Sequence, residues 1–174
     1  MPEGAVRKSA RATRRVSYSE LEPRKPRAPT LAQQRALAKA ERAGLADVVR
    51  EQPDRHGGTG LFAVRSLKAR ELFLPYYGKL MSNDQFLRAY PDQDAVYAMQ
   101  LPDTRHIDGS KVMGLAARAN HSSRPNANFE MGYGVLPVLV NHQPIKAGEE
   151  VRVRYHRDYF ETSAGRAIDR GFDR

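Results

Sequence analysis

Residues 120–126 of this chain read NHSSRPN, and residues 148–155 read GEEVRVRY. About 20 residues separate the two stretches, and the second alternates apolar and polar side chains, which predicts a β-strand. Two shorter stretches precede them, GTGLFA at residues 58–63 and YYG at residues 76–78. A lone Gly-x-Gly is usually an ordinary β-turn. All four stretches in this order form a far more specific pattern than any one of them alone, and a chance occurrence is improbable.

These four motifs resemble those of the SET domain of protein lysine methyltransferases. Their pattern is most similar to that of short viral-type SET domains, which also lack zinc-binding flanks. The resemblance covers roughly residues 46–160. It implies a mostly β, β-clip-like SET fold with short helices and a pseudoknot. In that pseudoknot the segment with Pro125 and Asn126 threads beneath another loop, an exception to the general rule against threading.

Local sequence patterns predict the same class. Thr30 is expected to cap a helix over residues 31–43 that Gly44 ends, and Ser82 to cap a second helix carrying Phe86 and Leu87. A helical turn is expected at residues 113–117. The candidate strands are residues 46–50, 61–64, 72–80, 96–101, 105–108, 128–131, 135–141 and 150–155. The expected units are a disordered basic arm at 1–29, a short helix at 30–44, the SET domain at 45–161 and a C-terminal tail at 162–174.

The positive charge is concentrated at the start of the chain. The net charge is +9, and residues 1–44 contain eleven Lys/Arg against four Glu. Residues 1–29 lack hydrophobic periodicity, so we expect them to be disordered and able to contact nucleic acid nonspecifically. No apolar run is long enough for a membrane span and no secretory signal is present. We therefore expect an intracellular, soluble protein without membrane contact, nuclear in a eukaryote and cytoplasmic otherwise, as a monomer or homodimer.

The resemblance implies S-adenosylmethionine as cofactor and no metal; the absence of cysteine also excludes Cys-ligated zinc. In the family, the Gly-x-Gly loop lies against the methionine end of the cofactor and the Asn side chain holds its amino group. The His contributes backbone contacts to the adenine, so its imidazole is expected to be structural. An aromatic residue after the last strand, Phe160 or Tyr159, would cover the cofactor or simply pack. The predicted cofactor-binding residues are Gly58, Thr59, Gly60, Leu61, Asn120, His121, Tyr155 and Phe160.

The resemblance also implies that Tyr155 and Tyr76 are catalytic and meet where lysine and cofactor converge. The alternative is that both are half-buried strand tyrosines. Val153 and Phe129 stand at the two positions that govern product state in the family, and neither carries a hydroxyl. We therefore expect di- or trimethylation, unless Phe129 is only a core residue and Tyr76 or Tyr97 supplies the restricting hydroxyl. The predicted substrate channel consists of Tyr76, Phe129, Val153 and Tyr97.

The expected reaction is methyl transfer to the side-chain amine of a protein lysine in a basic tail, for which a histone is one candidate. Five acids at 84, 92, 94, 103 and 108 could form a face for such a peptide or simply a solvated loop. The alternative function is a catalytically weak SET module that binds chromatin or nucleic acid through its arm. Departures from the family pattern at residues 75, 113–114, 117–119 and 156 bear on cofactor affinity and substrate preference more than on fold.

Overall fold

The computed structural model describes residues 28–55, 57–131 and 135–156. Its first element is helix α1, Leu31–Gly44, which begins at the predicted cap. The Thr30 hydroxyl accepts a hydrogen bond from the Gln33 amide, and the Gln33 side chain accepts one from the Thr30 amide, so the capping box is complete. Gly44 was predicted to follow the last residue of the helix, and this prediction is wrong by one residue. Gly44 is itself the last helical residue, and Leu45 is the C-cap.

The prediction of a mostly β fold is confirmed. In the described part of the chain, short strands form three small sheets with the orders β1-β2-β10-β7, β3-β9-β8 and β4-β6-β5. All pairings are antiparallel except that of β7 with β10. The strands are β1 Val49–Pro53, β2 Thr59–Ala63, β3 Phe73–Pro75, β4 Lys79–Met81, β5 Ala98–Gln100, β6 His106–Asp108, β7 Asn120–His121, β8 Ala127–Glu130, β9 Val138–Asn141 and β10 Glu150–Val153.

The strand predicted over residues 72–80 is two strands, because the chain leaves the ladder at Tyr76-Tyr77-Gly78. The Gly78 amide donates to the side chain of Gln34 on α1 at 2.7 Å. A Cβ on Gly78 would lie 2.6 Å from the Asp108 carbonyl oxygen, so only glycine permits this close approach. The break separates β3 from β4, and thus places Tyr76 between two sheets.

Other strand predictions shift at their ends for local reasons. The strand expected over residues 46–50 is β1, and it begins only at Val49. The Val48 and Val49 amides both donate to the Leu45 carbonyl, so the residues before Val49 form a turn and not a strand. The strand expected up to Tyr155 ends at Val153. The two-residue strand β7 was not predicted; it exists only through its parallel partner β10.

The two other helical predictions are confirmed with small shifts. Helix α2 spans Asn83–Ala89 and begins with a second capping box between Ser82 and Gln85. Phe86 is buried, whereas Leu87 is 40% exposed, so the helix packs through Phe86. The expected turn is a 3-10 helix over Leu115–Arg118, directly before β7. None of the helices in the described ranges combines the length and apolar character needed to cross a membrane.

Helix α1 packs against the loop that leads to the NHSSRPN motif. Arg35 donates to the Lys111 carbonyl at 2.9 Å, and Arg42 donates to the Met113 carbonyl at 2.8 Å. Met113 has a φ of 53°, a strained value for a residue with a side chain. The helix therefore holds the irregular segment before the site in place.

Glu41 on α1 makes stability depend on pH. Burial raises its pKa from 4.5 to about 7, and one of its carboxylate oxygens is buried without a hydrogen-bond partner among the described residues. Because the folded state binds this proton more tightly than the unfolded state, the contribution of Glu41 to stability falls as pH rises from 4.5 through 7. We expect Glu41→Gln to raise the free energy of unfolding at pH 8 by about 1 kcal/mol, after allowing for partial exposure.

The measurement is chemical denaturation of wild type and Glu41→Gln at pH 5.5 and pH 8. The advantage of the variant should be present at the higher pH and largely absent at the lower one. Equal differences at both values would show that Glu41 is ionised throughout in the folded protein.

Candidate active site

One open cleft, with a volume of about 1370 Å³, runs between the three sheets. It is bordered by the loop after β1, the end of β3, the segment around β5, the 3-10 helix with β7, and the ends of β8 and β10. Residues from all four sequence motifs thus reach one space. The predicted site residues that line it are Gly58, Thr59, Tyr76, Tyr97, Asn120, Phe129, Val153 and Tyr155.

Asn120 begins β7, and its side-chain amide is held by two carboxylates. The Nδ2 atom donates to Asp54 Oδ2 at 3.0 Å and to Glu150 Oε1 at 2.9 Å. Both amide protons are engaged in these bonds. The orientation of the amide is thereby set, and Oδ1 is the hydrogen-bond acceptor that Asn120 offers to the cleft.

The Gly-x-Gly loop is placed differently from the expectation. Gly58 and Thr59 are exposed and line the cleft, whereas Gly60 is buried and Leu61 is a fully buried core residue. A Cβ on Gly60 would lie 2.5 Å from Glu150 Oε1 and 3.1 Å from Asn120 Nδ2. Gly60 therefore makes room for this hydrogen-bonded pair. The glycine with a positive φ in this loop is Gly57, with a value of 84°.

The imidazole of His121 is hydrogen-bonded to a backbone amide. Its Nδ1 atom accepts a hydrogen bond from the Tyr155 amide at 3.0 Å. An accepting Nδ1 places the proton on Nε2 and leaves the ring neutral. The side chain thus ties β7 to the segment after β10, as expected of a structural histidine.

The two tyrosines donate their hydroxyl protons to backbone carbonyls. Tyr155 donates to Ala119 O at 3.0 Å, and Tyr76 donates to Tyr97 O at 2.8 Å. The ring of Tyr76 meets Phe129 edge to face, with centroids 5.4 Å apart. Both tyrosines line the cleft together with Phe129.

The remaining predicted residues differ in how much they contribute to the cleft. Val153 is only 1% exposed and belongs mainly to the core, whereas Phe129 and Tyr97 are half-buried. Tyr97 also contributes its carbonyl, which accepts from Tyr76. Phe160 lies outside the described residues, as do Tyr159 and most of the predicted arm.

Sequence reasoning missed the acidic residues that organise the site. Asp54 and Glu150 hold Asn120, and Glu51 binds both Arg118, at 3.1 Å, and Arg42, at 2.9 Å. Burial opposes ionisation of Glu51, but the two arginines outweigh it and lower its pKa. Two signals were present in the sequence: Glu150 stands within the GEEVRVRY stretch, and Asp54 precedes Gly58 by four residues in a turn.

Two of the acids in the predicted acidic face bond to other groups of the protein. Asp103 forms an ion pair with Arg105 at 2.6 Å. Asp108 is buried and accepts hydrogen bonds from the Tyr90 hydroxyl and the Ser110 amide. Asp108 is therefore structural, whereas Asp103 is paired at the surface. Across the described ranges, no group of three or more His, Asp or Glu side chains is placed to hold a metal ion.

Comparison with known proteins agrees with this architecture. The SET domain family matches residues 58–156. A histone-lysine N-methyltransferase, H3 lysine-36 specific, from Cryptococcus neoformans is 27% identical over 111 residues, which is 59% of this chain and 13% of that protein. A protein of the same description from Coccidioides immitis is 29% identical over 111 residues, 59% of this chain and 11% of that protein. The chain thus matches only a small part of the length of these relatives.

The matched region contains the cleft, both tyrosines and Asn120, and it accounts for more than half of the chain. Helix α1, β1 and Asp54 precede the match. With its motifs in family order and its small sheets arranged around a common cleft, this chain belongs to the SET-domain family.

Proposed function

We propose that this SET domain transfers a methyl group from S-adenosylmethionine to the side-chain amine of a protein lysine. The observation that carries the proposal is the cleft that Asn120, Tyr76 and Tyr155 line together. The names of the relatives support lysine as the acceptor.

The residues present fit the cofactor. Its amino-acid end carries an ammonium, and Asn120 offers Oδ1 to the cleft while the Asp54 carboxylate lies beside it. Gly58, also on the cleft, leaves the backbone accessible there. When bound, the cofactor supplies a methyl group on a cationic sulfur. Placing this cation near carboxylates and hydroxyl oxygens is electrostatically favourable.

The chain's own residues would prepare the lysine. A free lysine has a pKa of ~10.4, so it must lose a proton before it can act as a nucleophile. Phe129, Val153 and the tyrosine rings form an apolar surround that disfavours the ammonium and lowers its pKa. The hydroxyl oxygens of Tyr155 and Tyr76 can accept hydrogen bonds from the N–H groups of the neutral amine. This directs its lone pair toward the methyl group, and orientation of this kind accounts for much of a rate enhancement.

The substrate class follows from the relatives and from charge. We propose a lysine in a basic tail, with histone tails as the first candidates. In a eukaryote this activity would place the protein in the nucleus. The exposed acids Asp92 and Asp94 flank Gln93, which lines the cleft, and would favour a basic peptide.

The proposal is tested with radiolabelled cofactor and core histones, followed by mass spectrometry of the products. We expect label on lysine with the wild-type protein and almost none with Tyr155→Phe. A parallel reaction with a chelator should retain full activity. Wild-type protein that binds the cofactor but labels neither histones nor other basic proteins would contradict a methyltransferase function.

We predict that Phe129 permits more than one methyl group per lysine. A tyrosine at this position would add a hydroxyl near Tyr76 that can bond the amine or hold a water. Phe129→Tyr should therefore shift products toward monomethyl-lysine, with a change in product ratio of about fivefold, the effect of one hydrogen bond. Mass spectrometry at excess cofactor gives the ratio. Phe73→Tyr, an exposed change on β3, is the matched control. A wild-type enzyme that stops at one methyl group would contradict the prediction.

The alternative function, chromatin or nucleic-acid binding through the arm, is supported by the charge of residues 1–27, which contain eight Lys/Arg and three Glu. Deleting them spares the Thr30 cap and the Pro29 carbonyl that Gln34 binds. We expect the deletion to leave cofactor affinity unchanged and to weaken DNA binding about tenfold or more at low salt. Titrations of labelled DNA at about 50 and about 200 mM salt measure this. Unchanged DNA affinity would exclude the arm as the contact.

A further inference from the structure

Asp54 lies in the turn between β1 and β2, before the region that matches the SET domain family. Its two carboxylate oxygens are bonded to different segments. Oδ1 accepts from the Gly58 amide at 2.9 Å, and Oδ2 accepts from Asn120 Nδ2 at 3.0 Å. One side chain thus joins the Gly-x-Gly loop to a residue 66 positions later in the chain.

Glu150 completes the arrangement on the other side. Its Oε1 accepts from Asn120 Nδ2 at 2.9 Å, and its Oε2 accepts from Arg152 at 2.9 Å. The side chain is 8% exposed, so it is anchored within the core. With Asp54 and Glu150 both acting as acceptors, the amide of Asn120 cannot rotate by 180° without placing its own oxygen against two carboxylates.

We infer that Asp54 is a positioning residue for the cofactor: it locks the Asn120 amide with Oδ1 toward the cleft and holds Gly58 beside it. This inference rests on the proposed function and adds a residue outside the family match. The locked oxygen is an acceptor for the ammonium of the cofactor's amino-acid end. A rotated amide would present an N–H to that cation and repel it.

The rival explanation is that Asp54 acts only through its negative charge, either on the cationic sulfur or on the ammonium of the cofactor's amino-acid end. Comparing two ligands tests for a charge effect on the sulfur, and the Asn120→Ala background tests for one on the ammonium, because only an effect through Asn120 disappears there. S-adenosylmethionine and S-adenosylhomocysteine share the same amino-acid end, but only the first carries a cationic sulfur. A positioning effect through Asn120 weakens both ligands equally, whereas an effect on the sulfonium weakens the first alone.

The experiment is isothermal titration calorimetry of both ligands with wild type, Asp54→Asn, Asn120→Ala and the double variant. Asp47→Asn, the same change at an exposed acid of the turn after α1, is the control for net charge. We expect Asp54→Asn to weaken both ligands about tenfold, because an amide cannot accept from Gly58 and Asn120 together. In the Asn120→Ala background the same change should have almost no further effect.

The inference would be overturned if Asp54→Asn bound both ligands as tightly as Asp47→Asn does. It would also be overturned if Asp54→Asn weakened binding in the Asn120→Ala background as much as it does in the wild type. Loss confined to S-adenosylmethionine would also overturn it. Wild-type protein that binds neither ligand would overturn the proposed function as well. If Asp54→Asn does not fold, NMR of the wild type decides, since a locked Asn120 must show two slowly exchanging side-chain amide protons, and rapid exchange would contradict the lock.

Discussion

Replacing Tyr155 with phenylalanine should lower kcat about 100-fold or more while leaving cofactor affinity almost unchanged. The hydroxyl donates to Ala119 O at 3.0 Å, which fixes its orientation beside the cleft that both residues line. Without it, the amine loses one of two oriented acceptors, and misorientation of a nucleophile costs rates of this order. Single-turnover methyl transfer at saturating cofactor gives the rate, and calorimetry gives the affinity.

The loss of the hydrogen bond to Ala119 should lower the free energy of unfolding by about 1 kcal/mol, so the fold should survive. Tyr90→Phe is the matched control, because it removes a hydroxyl that bonds Asp108 away from the cleft. It should leave kcat unchanged. Full activity in Tyr155→Phe would remove Tyr155 from the reaction and leave Tyr76 as the candidate.

Replacing Asn120 with alanine should weaken cofactor binding by about 1–3 kcal/mol, or roughly 5- to 150-fold in Kd. The truncation removes the Oδ1 acceptor from the cleft. It also removes the donor that Asp54 and Glu150 share, although each carboxylate keeps a second donor, from Gly58 and Arg152 respectively. Calorimetric titration measures the affinity of each variant.

Asn128→Ala is the matched control, since Asn128 is an exposed asparagine on the β8 side of the same cleft. We expect its cofactor affinity to equal that of the wild type. Equal weakening in both variants would mean that the cofactor does not depend on the Asn120 amide.

The helix starts were predictable because their causes are local. Thr30 bonds Gln33 and Ser82 bonds Gln85, in each case three residues away. Strand ends were less predictable, because a strand continues only as far as its partner does. β10 stops at Val153 where its pairing with β7 ends, although the alternation of side chains continues to Tyr155.

At the candidate site, too, residue identities were predictable from the sequence, whereas contacts between distant residues were not. The motifs identified Asn120, Tyr155 and Tyr76 as site residues, and the structure brings all three to one cleft. They also suggested that Gly60 and Leu61 contact the cofactor, whereas both are buried in strand β2 and neither lines the cleft. The spacing of a motif cannot distinguish a glycine that faces a ligand from one that makes room for a neighbouring side chain.

By itself, the sequence determined the family, the order of the motifs, the capped helices and the chemical types at the site. These depend on residues close in the chain or on residue identity alone. The tertiary structure decided which atoms meet: the β2-β10-β7 order places Glu150 beside Asn120, and the turn after β1 brings Asp54 to the same amide. Such contacts join residues 30 and 66 positions apart, and a hydrogen bond needs atoms within about 3 Å. Only the packing of the whole chain sets distances of that kind.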